Sequence, residues 1–206
     1  HVKWVNWCRN LVERYPATIA EYHNSNEMVI NPYVFVDRLF ETLGNDDRII
    51  CGNGSACVIT FQACKIKQGQ RMFTNSGCAA MGYGFPAAVG VAVADNTRKT
   101  ICIDGDGSIM MNIQEMATVA HNRLNIKTFI LNNNGYHSIR QTQTNLFKPP
   151  FIGVDSESGI GFPNFNKLAE AFGIQYYSIC NEKTCKEVIN QVLNCEGPCV
   201  CEIMVD

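Results

Sequence analysis

One carboxylate and one carboxamide stand out by where they fall. Asp106 sits in Gly105-Asp106-Gly107-Ser108, directly behind the mainly apolar run 101–104. Asn133 sits in Asn132-Asn133-Asn134-Gly135, at the end of a second, mainly apolar run over 127–132. Between them, 108–122 carries the spacing of an amphipathic helix. Such a helix takes the chain roughly 21 Å from the first turn at 1.5 Å per residue. The return strand brings it back about 20 Å at roughly 3.3 Å per residue. Asp106 and Asn133 are therefore expected on one carboxyl edge of a parallel sheet, with 101–104 and 128–132 adjacent or one strand apart. Two hard oxygen ligands beside a helix N-terminus suit a divalent cation that holds a phosphate. The plainer alternative is that Asp106 caps a helix and the asparagines are turn chemistry.

Two further turns fit an anion. The N–H groups of Gly107 and Ser108, and the Ser108 hydroxyl, open the helix and can face phosphate oxygens. Gly52-Asn53-Gly54-Ser55-Ala56 follows a short strand at 49–51, and its glycines let backbone approach an anion closely. A simple strand–helix turn would look the same.

The elements that must position these residues alternate. Trp4, Trp7, Cys8, Leu11 and Tyr15 recur at helical spacing until Pro16. Residues 17–31 are polar and read as a linker, so the chain divides into an N-terminal helix and linker (1–31) and a single domain (32–206). Helices are expected over 33–43, from the 52–55 turn to about 65, and over 86–94, the last apolar all round as if buried between layers. Strands are expected at 71–74, 175–179 and 199–205, helices at 166–172 and 183–193, and a long irregular stretch at 144–161. The result is an α/β, doubly wound, mainly parallel sheet of about six strands with helices on both faces.

Composition narrows the function classes. At 206 residues the chain can bury a core without staples, and 46% hydrophobic content is globular. A net charge of −2 gives no electrostatic reason to bind nucleic acid or an anionic membrane. No apolar stretch reaches membrane length and no signal-peptide pattern is visible, so the expectation is cytoplasmic. Eleven cysteines with no Cys-x-x-Cys read as reduced structural thiols. Of the four histidines, His137 lies closest to the asparagine loop; no catalytic role is assigned to it.

The paired motifs resemble a family. Gly105-Asp106-Gly107, then 24 residues (108–131), then an Asn pair is similar to the thiamine-diphosphate signature. The surrounding text, RMFTNSGCAAMGYGFPAAVGVAV at 71–93 and GDGSIMMNIQEMATVA with IKTFILNNNGYHSIRQTQ up to 143, resembles the C-terminal cofactor domain of acetolactate-synthase-like enzymes. The resemblance implies a thiamine-diphosphate-binding fold and two cofactors, thiamine diphosphate and Mg2+. It implies three metal ligands: the Asp106 carboxylate, the Asn133 side-chain oxygen and the Gly135 carbonyl, with diphosphate and water completing six positions. It places Gly54, Ser55, Ala56, Ala79, Met81, Asp106, Gly107, Ser108, Asn133, Gly135 and Tyr136 around the cofactor. Met81 matches the bulky apolar residue that wedges between the cofactor's rings and holds them bent; a core methionine is the alternative. Larger polar residues often stand where this chain has Ser55 and Ala56.

The resemblance also implies what lies elsewhere. The glutamate that activates the cofactor belongs to another domain, so this chain reads as the C-terminal third of a longer enzyme with no catalytic residue of its own, inactive alone. The implied reaction is decarboxylation of a 2-oxo acid with transfer of the two-carbon unit to an acceptor, in a homo-oligomer (dimer or tetramer). Arg140, Gln141 and Thr142 fall near the substrate, and Thr142 stands where acetolactate synthases commonly carry tryptophan. A simple 2-oxo-acid decarboxylase is the alternative within the class. A non-catalytic nucleotide- or flavin-binding module is the alternative outside it, and such modules rarely need the Asp/Asn pair. The segment 134–161 is expected to cover the site and to be the most mobile part of the chain.

Overall fold

The computed structural model describes residues 1–24 and 28–205. Part of the linker expected at 17–31, residues 25–27, lies outside the described residues, as does residue 206, the end of the expected domain. The described strands are β1 (Arg48–Cys51), β2 (Arg71–Thr74), β3 (Thr100–Gly105), β4 (Ile126–Asn132), β5 (Gln175–Ile179) and β6 (Cys199–Met204). They form one sheet in the order β2-β1-β3-β4-β6-β5, and every pairing is parallel. β1, β3 and β4 are buried along nearly their whole length, as strands covered on both faces must be, and their sequences are correspondingly rich in Ile, Cys and Phe.

The strand period of two separates the core into two layers. Ile49, Cys51, Ile103, Phe129 and Ile203 pack with Phe35 and Leu39 of α2 (Pro32–Thr42), with α3 (Gly54–Ala63), and with Ile189 of α9 (Glu182–Asn194). Ile50, Cys102, Ile130 and Val200 face the other way, onto Phe85 of α4 (Gly84–Ala94), Met116 of α6 (Glu115–His121) and Ala169 of α8 (Phe165–Ala171). Five cysteines, Cys51, Cys102, Cys185, Cys199 and Cys201, are buried in these layers as small apolar groups. The chain leaves β1 toward β2 and leaves β3 toward β4, in opposite directions across the sheet. The crevice between those two carboxyl ends is where doubly wound sheets bind ligands.

Several elements depart from the sequence expectation. The helix expected over 108–122 is broken into α5 (Asp106–Ile109), a tight 3-10 turn at Met110–Asn112, and α6. The break is where Asn112 turns sideways to donate to the Gly82 carbonyl, 2.8 Å away, so that turn serves a neighbouring loop instead of a continuous helical face. α4 is apolar all round, yet among its residues only Gly84, Phe85, Ala88 and Ala92 are buried, and Val93 is 65% exposed. It covers one face of the sheet and is not enclosed between layers. The stretch expected to be irregular from 144 begins inside α7 (His137–Leu146), and beyond it Asp155 and Ser158 close a compact turn through Ser158 N–H to the Asp155 carboxylate (3.0 Å). In the expected linker, a short 3-10 helix runs over Ala20–Asn24, and Ile30 is fully buried and bridges Val205 in parallel. α1 (Val2–Arg14) forms as expected, and none of its residues is buried.

Candidate functional site

β3 and β4 are neighbours, with Gly105 level with Leu131, so the turns that follow them open side by side. Asp106 begins α5 and is 2% exposed. One of its carboxylate oxygens accepts from the Gly107 N–H at 2.7 Å, and the other from the Gly135 N–H at 3.0 Å. Burial raises its pKa above the ordinary carboxylate value, while the amides of Gly135, Gly107 and Asn133 and the Arg140 charge pull in the opposite direction. The two expected ligand loops are thus joined through a single carboxylate.

Asn133 supplies the observation that points to a ligand. Its side-chain oxygen is buried with no hydrogen-bond partner. An unpaired buried acceptor costs on the order of 1–3 kcal/mol, so such a group is expected to meet something. The rest of the loop is held firmly. The Asn133 carbonyl accepts from Arg140 at 3.0 Å, Asn132 takes the Asn134 N–H at 2.8 Å, and the Tyr136 N–H reaches the Val154 carbonyl at 2.8 Å. Asn134 and Gly135 both have positive φ, +56° and +145°, which turns the chain sharply past the strand end. A Cβ on Gly135 would stand 2.0 Å from the Val154 carbonyl oxygen, so only glycine fits there.

A pocket at this edge brings together most of the residues singled out by sequence. Gly54, Ser55 and Ala56 line it from the start of α3, Met81 from the loop before α4, Asp106, Gly107 and Ser108 from α5, and Asn133, Gly135 and Tyr136 from the turn after β4. Ala79 does not line it; its carbonyl accepts from Asn53 at 3.1 Å and its φ is +50°. Arg140, Gln141 and Thr142 do not line it either. Arg140 turns back to the Asn133 carbonyl and to Asp155, 3.7 Å away, and Thr142 bonds its own helix at Ser138. Ser108 differs from expectation in its hydroxyl, which accepts from the Gly82 N–H at 3.0 Å. Sequence reasoning did not assign Asn53, Ser138 or Ile139 to the site, and gave His137 no part in it, yet all four line it. Asn53 was legible as part of the glycine turn; the others follow only from α7 starting at His137.

Magnesium fits what is present. Among the described residues no three His, Cys, Asp or Glu side chains cluster, so the donor set is one carboxylate, one unpaired carboxamide oxygen and backbone. Hard oxygen donors in small number, with room left for phosphate and water, are what magnesium takes. Tyr136 closes the floor: its ring lies over Gly107 so tightly that a Cβ there would come within 2.1 Å of the ring, and it meets Phe162 edge-on at 6.1 Å.

Comparison with known proteins agrees with this geometry. Residues 52–203 match the family described as thiamine pyrophosphate enzyme, C-terminal TPP binding domain. The acetolactate synthase isozyme 1 large subunit of Escherichia coli is 35% identical over 204 residues, 99% of this chain and 35% of that protein. The acetolactate synthase large subunit of Cyanidium caldarium is 35% identical over 144 residues, 70% of this chain and 24% of its own length. The chloroplastic acetolactate synthase 2 of Nicotiana tabacum is 31% identical over 196 residues, 93% of this chain and 29% of its own. The chain spans about a third or less of the curated relatives it matches.

Proposed function

The chain belongs to the thiamine pyrophosphate enzymes as their C-terminal TPP-binding domain, and from that premise we propose that the pocket holds thiamine diphosphate through Mg2+. The unpaired Asn133 oxygen, on a residue that lines the same pocket as Asp106, carries this reading. Asp106, Asn133 and the Gly135 carbonyl serve as metal ligands. Gly107 and Ser108 offer N–H groups to the diphosphate at the start of α5, and Gly54, Ser55 and Ala56 approach it from the opposite strand end. Tyr136 and Met81 bracket the organic part, with Ala79 behind Met81. Thiamine diphosphate, when bound, supplies a carbon able to attack the carbonyl of a 2-oxo acid.

The chain's own residues bind and orient, and the activating glutamate is assigned to another domain. The parent enzyme decarboxylates a 2-oxo acid and passes the two-carbon unit to an acceptor, as its acetolactate synthase relatives suggest, in a homo-oligomer (dimer or tetramer). Arg140 takes a supporting role under the asparagine loop, and acceptor choice falls to side chains beyond it, Gln141 and Thr142 included. Cysteines spent as core groups suit a reducing, cytoplasmic compartment. No helix among the described residues is long and apolar enough to cross a membrane.

Thermal unfolding tests the reading. Thiamine diphosphate with Mg2+ should raise the midpoint, since a ligand that binds only the folded state stabilises it, while flavin and NAD should not. Asp106→Ala should abolish that rise, and the midpoint of the free protein should itself fall, because the Gly107 and Gly135 N–H groups lose their acceptor. A rise with flavin or NAD, or one retained in Asp106→Ala, would return Asp106 to the role of a helix cap.

A further inference from the structure

Met81 projects from a loop with unusual restraints. The residues around it, Ala79 and Ala80, are exposed, yet the backbone on both sides is tied down by three side chains from outside the loop. On the N-terminal side, Asn53 donates to the Ala79 carbonyl at 3.1 Å. On the C-terminal side, both peptide groups of Gly82 are engaged: its N–H donates to the Ser108 hydroxyl at 3.0 Å, and its carbonyl accepts from Asn112 at 2.8 Å. Gly82 has φ +79°, and a Cβ there would come within 2.6 Å of Met111 and 2.7 Å of Asn112. Four residues before Ser108, at the end of β3, Asp104 is a fully buried carboxylate whose Oδ2 has no hydrogen-bond partner. Asp104 lies directly under the loop's exit, where a Cβ on Gly84 would stand 2.7 Å from its Oδ2.

We propose that Asn112, together with Ser108 on the other side of the same glycine, is a positioning residue that fixes the Met81 side chain in the pocket before the cofactor arrives. This rests on the reading of the pocket as a thiamine diphosphate site. The logic is preorganisation. A loop with two positive-φ residues, Ala79 and Gly82, samples many other shapes unless its peptide groups are held, and a wedge that wanders cannot enforce a bent ligand. It also explains the broken helix: the 3-10 turn at Met110–Asn112 is what aims Asn112 at Gly82. Asn112 does not line the pocket, so its influence on a ligand must pass through the loop.

Two ligands separate this role from a general one. Magnesium pyrophosphate uses only the metal and diphosphate part of the pocket, whereas thiamine diphosphate also meets Met81. In calorimetric titrations of the chain, Asn112→Ala should leave magnesium pyrophosphate affinity within about twofold of the parent while thiamine diphosphate binding weakens roughly tenfold. Asn112→Leu, which fills the same space without the donor, should do the same. Met81→Ala should weaken thiamine diphosphate alone, and adding Asn112→Ala to it should cost nothing more, because both act through one contact. Equal losses for both ligands, no loss for thiamine diphosphate in either Asn112 variant, no effect of Met81→Ala, or additive effects in the double variant would each overturn the inference. A parent chain that binds no magnesium pyrophosphate would instead contradict the underlying assignment of the site, and this inference with it.

Discussion

At the residue scale, the site is a set of positions where one atom more or less decides the outcome. Gly107 is the clearest. Any side chain there meets the Tyr136 ring, and the ring cannot retreat far because the Tyr136 N–H is bonded to Val154, which is fully buried. Gly107→Ala should therefore displace Tyr136 and the turn it belongs to, and lower thiamine diphosphate affinity by more than tenfold, on the order of 2 kcal/mol. Far-UV circular dichroism should remain that of the parent; an unchanged affinity would mean that Tyr136 does not help to shape the pocket. Asp106 and Asn133 were legible from spacing alone, because a strand–helix–strand unit returns the chain to the same edge whatever surrounds it. The buried carboxylate of Asp104 was not. Its pKa is pushed up to about 6 by burial, and its meaning depends on Ser108 and on the glycines packed against it from other elements. No periodicity announces such contacts.

Elements show a similar division. β2 and β5 were legible to the residue, and β1, β3, β4, β6, α2 and α9 to within one or two, because parallel strands and capped helices leave strong patterns. Asn31, for example, caps α2 by accepting from the Tyr33 N–H at 3.0 Å. The broken α5–α6 segment was not legible, since its apolar spacing is helical throughout and only the tertiary tie from Asn112 to Gly82 interrupts it. α7 was missed because His137, Gln141 and Thr144 give no apolar face to bury, and none of its residues is buried. The end of α4 carries a test of its own. Asp95 follows the helix, accepts from the Thr97 N–H at 3.0 Å and the Arg98 side chain at 2.8 Å, and is held well below the usual carboxylate range, chiefly by Thr97 and then Arg98. A carboxylate with a depressed folded pKa contributes stability above its unfolded value near 4, and that contribution is lost as pH falls through the folded pKa. Asp95→Asn should lower the denaturation midpoint at pH 7, with the gap from the parent narrowing progressively below about pH 4. A gap that is constant from pH 7 to pH 2 would mean that the turn owes nothing to the charge.

For the whole molecule, the sheet holds the Asp106 and Asn133 turns at one edge, and its central strand must stay in register for that to work. Lys127 at the start of β4 is fully buried, and its ammonium donates to the Cys195 and Gly197 carbonyls at 2.6 and 2.5 Å, tying the end of α9 to the middle of the sheet. Lys127→Met keeps the stem and strands both acceptors, which should cost about 3 kcal/mol, read as a lower urea midpoint at unchanged slope. A loss under about 0.5 kcal/mol would show that water satisfies those carbonyls as well as lysine does. The doubly wound order and the crevice between β1 and β3 explain why loops so far apart in sequence converge, and why sequence could place the motifs without seeing the clamp on Met81. The central claim is that metal and diphosphate share one site between Asp106 and Asn133. Calorimetric titration with thiamine diphosphate, with Mg2+ and then with the metal chelated, measures it most directly on the parent chain and on Asn133→Ala. Binding that appears only with Mg2+ and is lost in Asn133→Ala is the expected result; equal affinity without metal, or full affinity in Asn133→Ala, would contradict it.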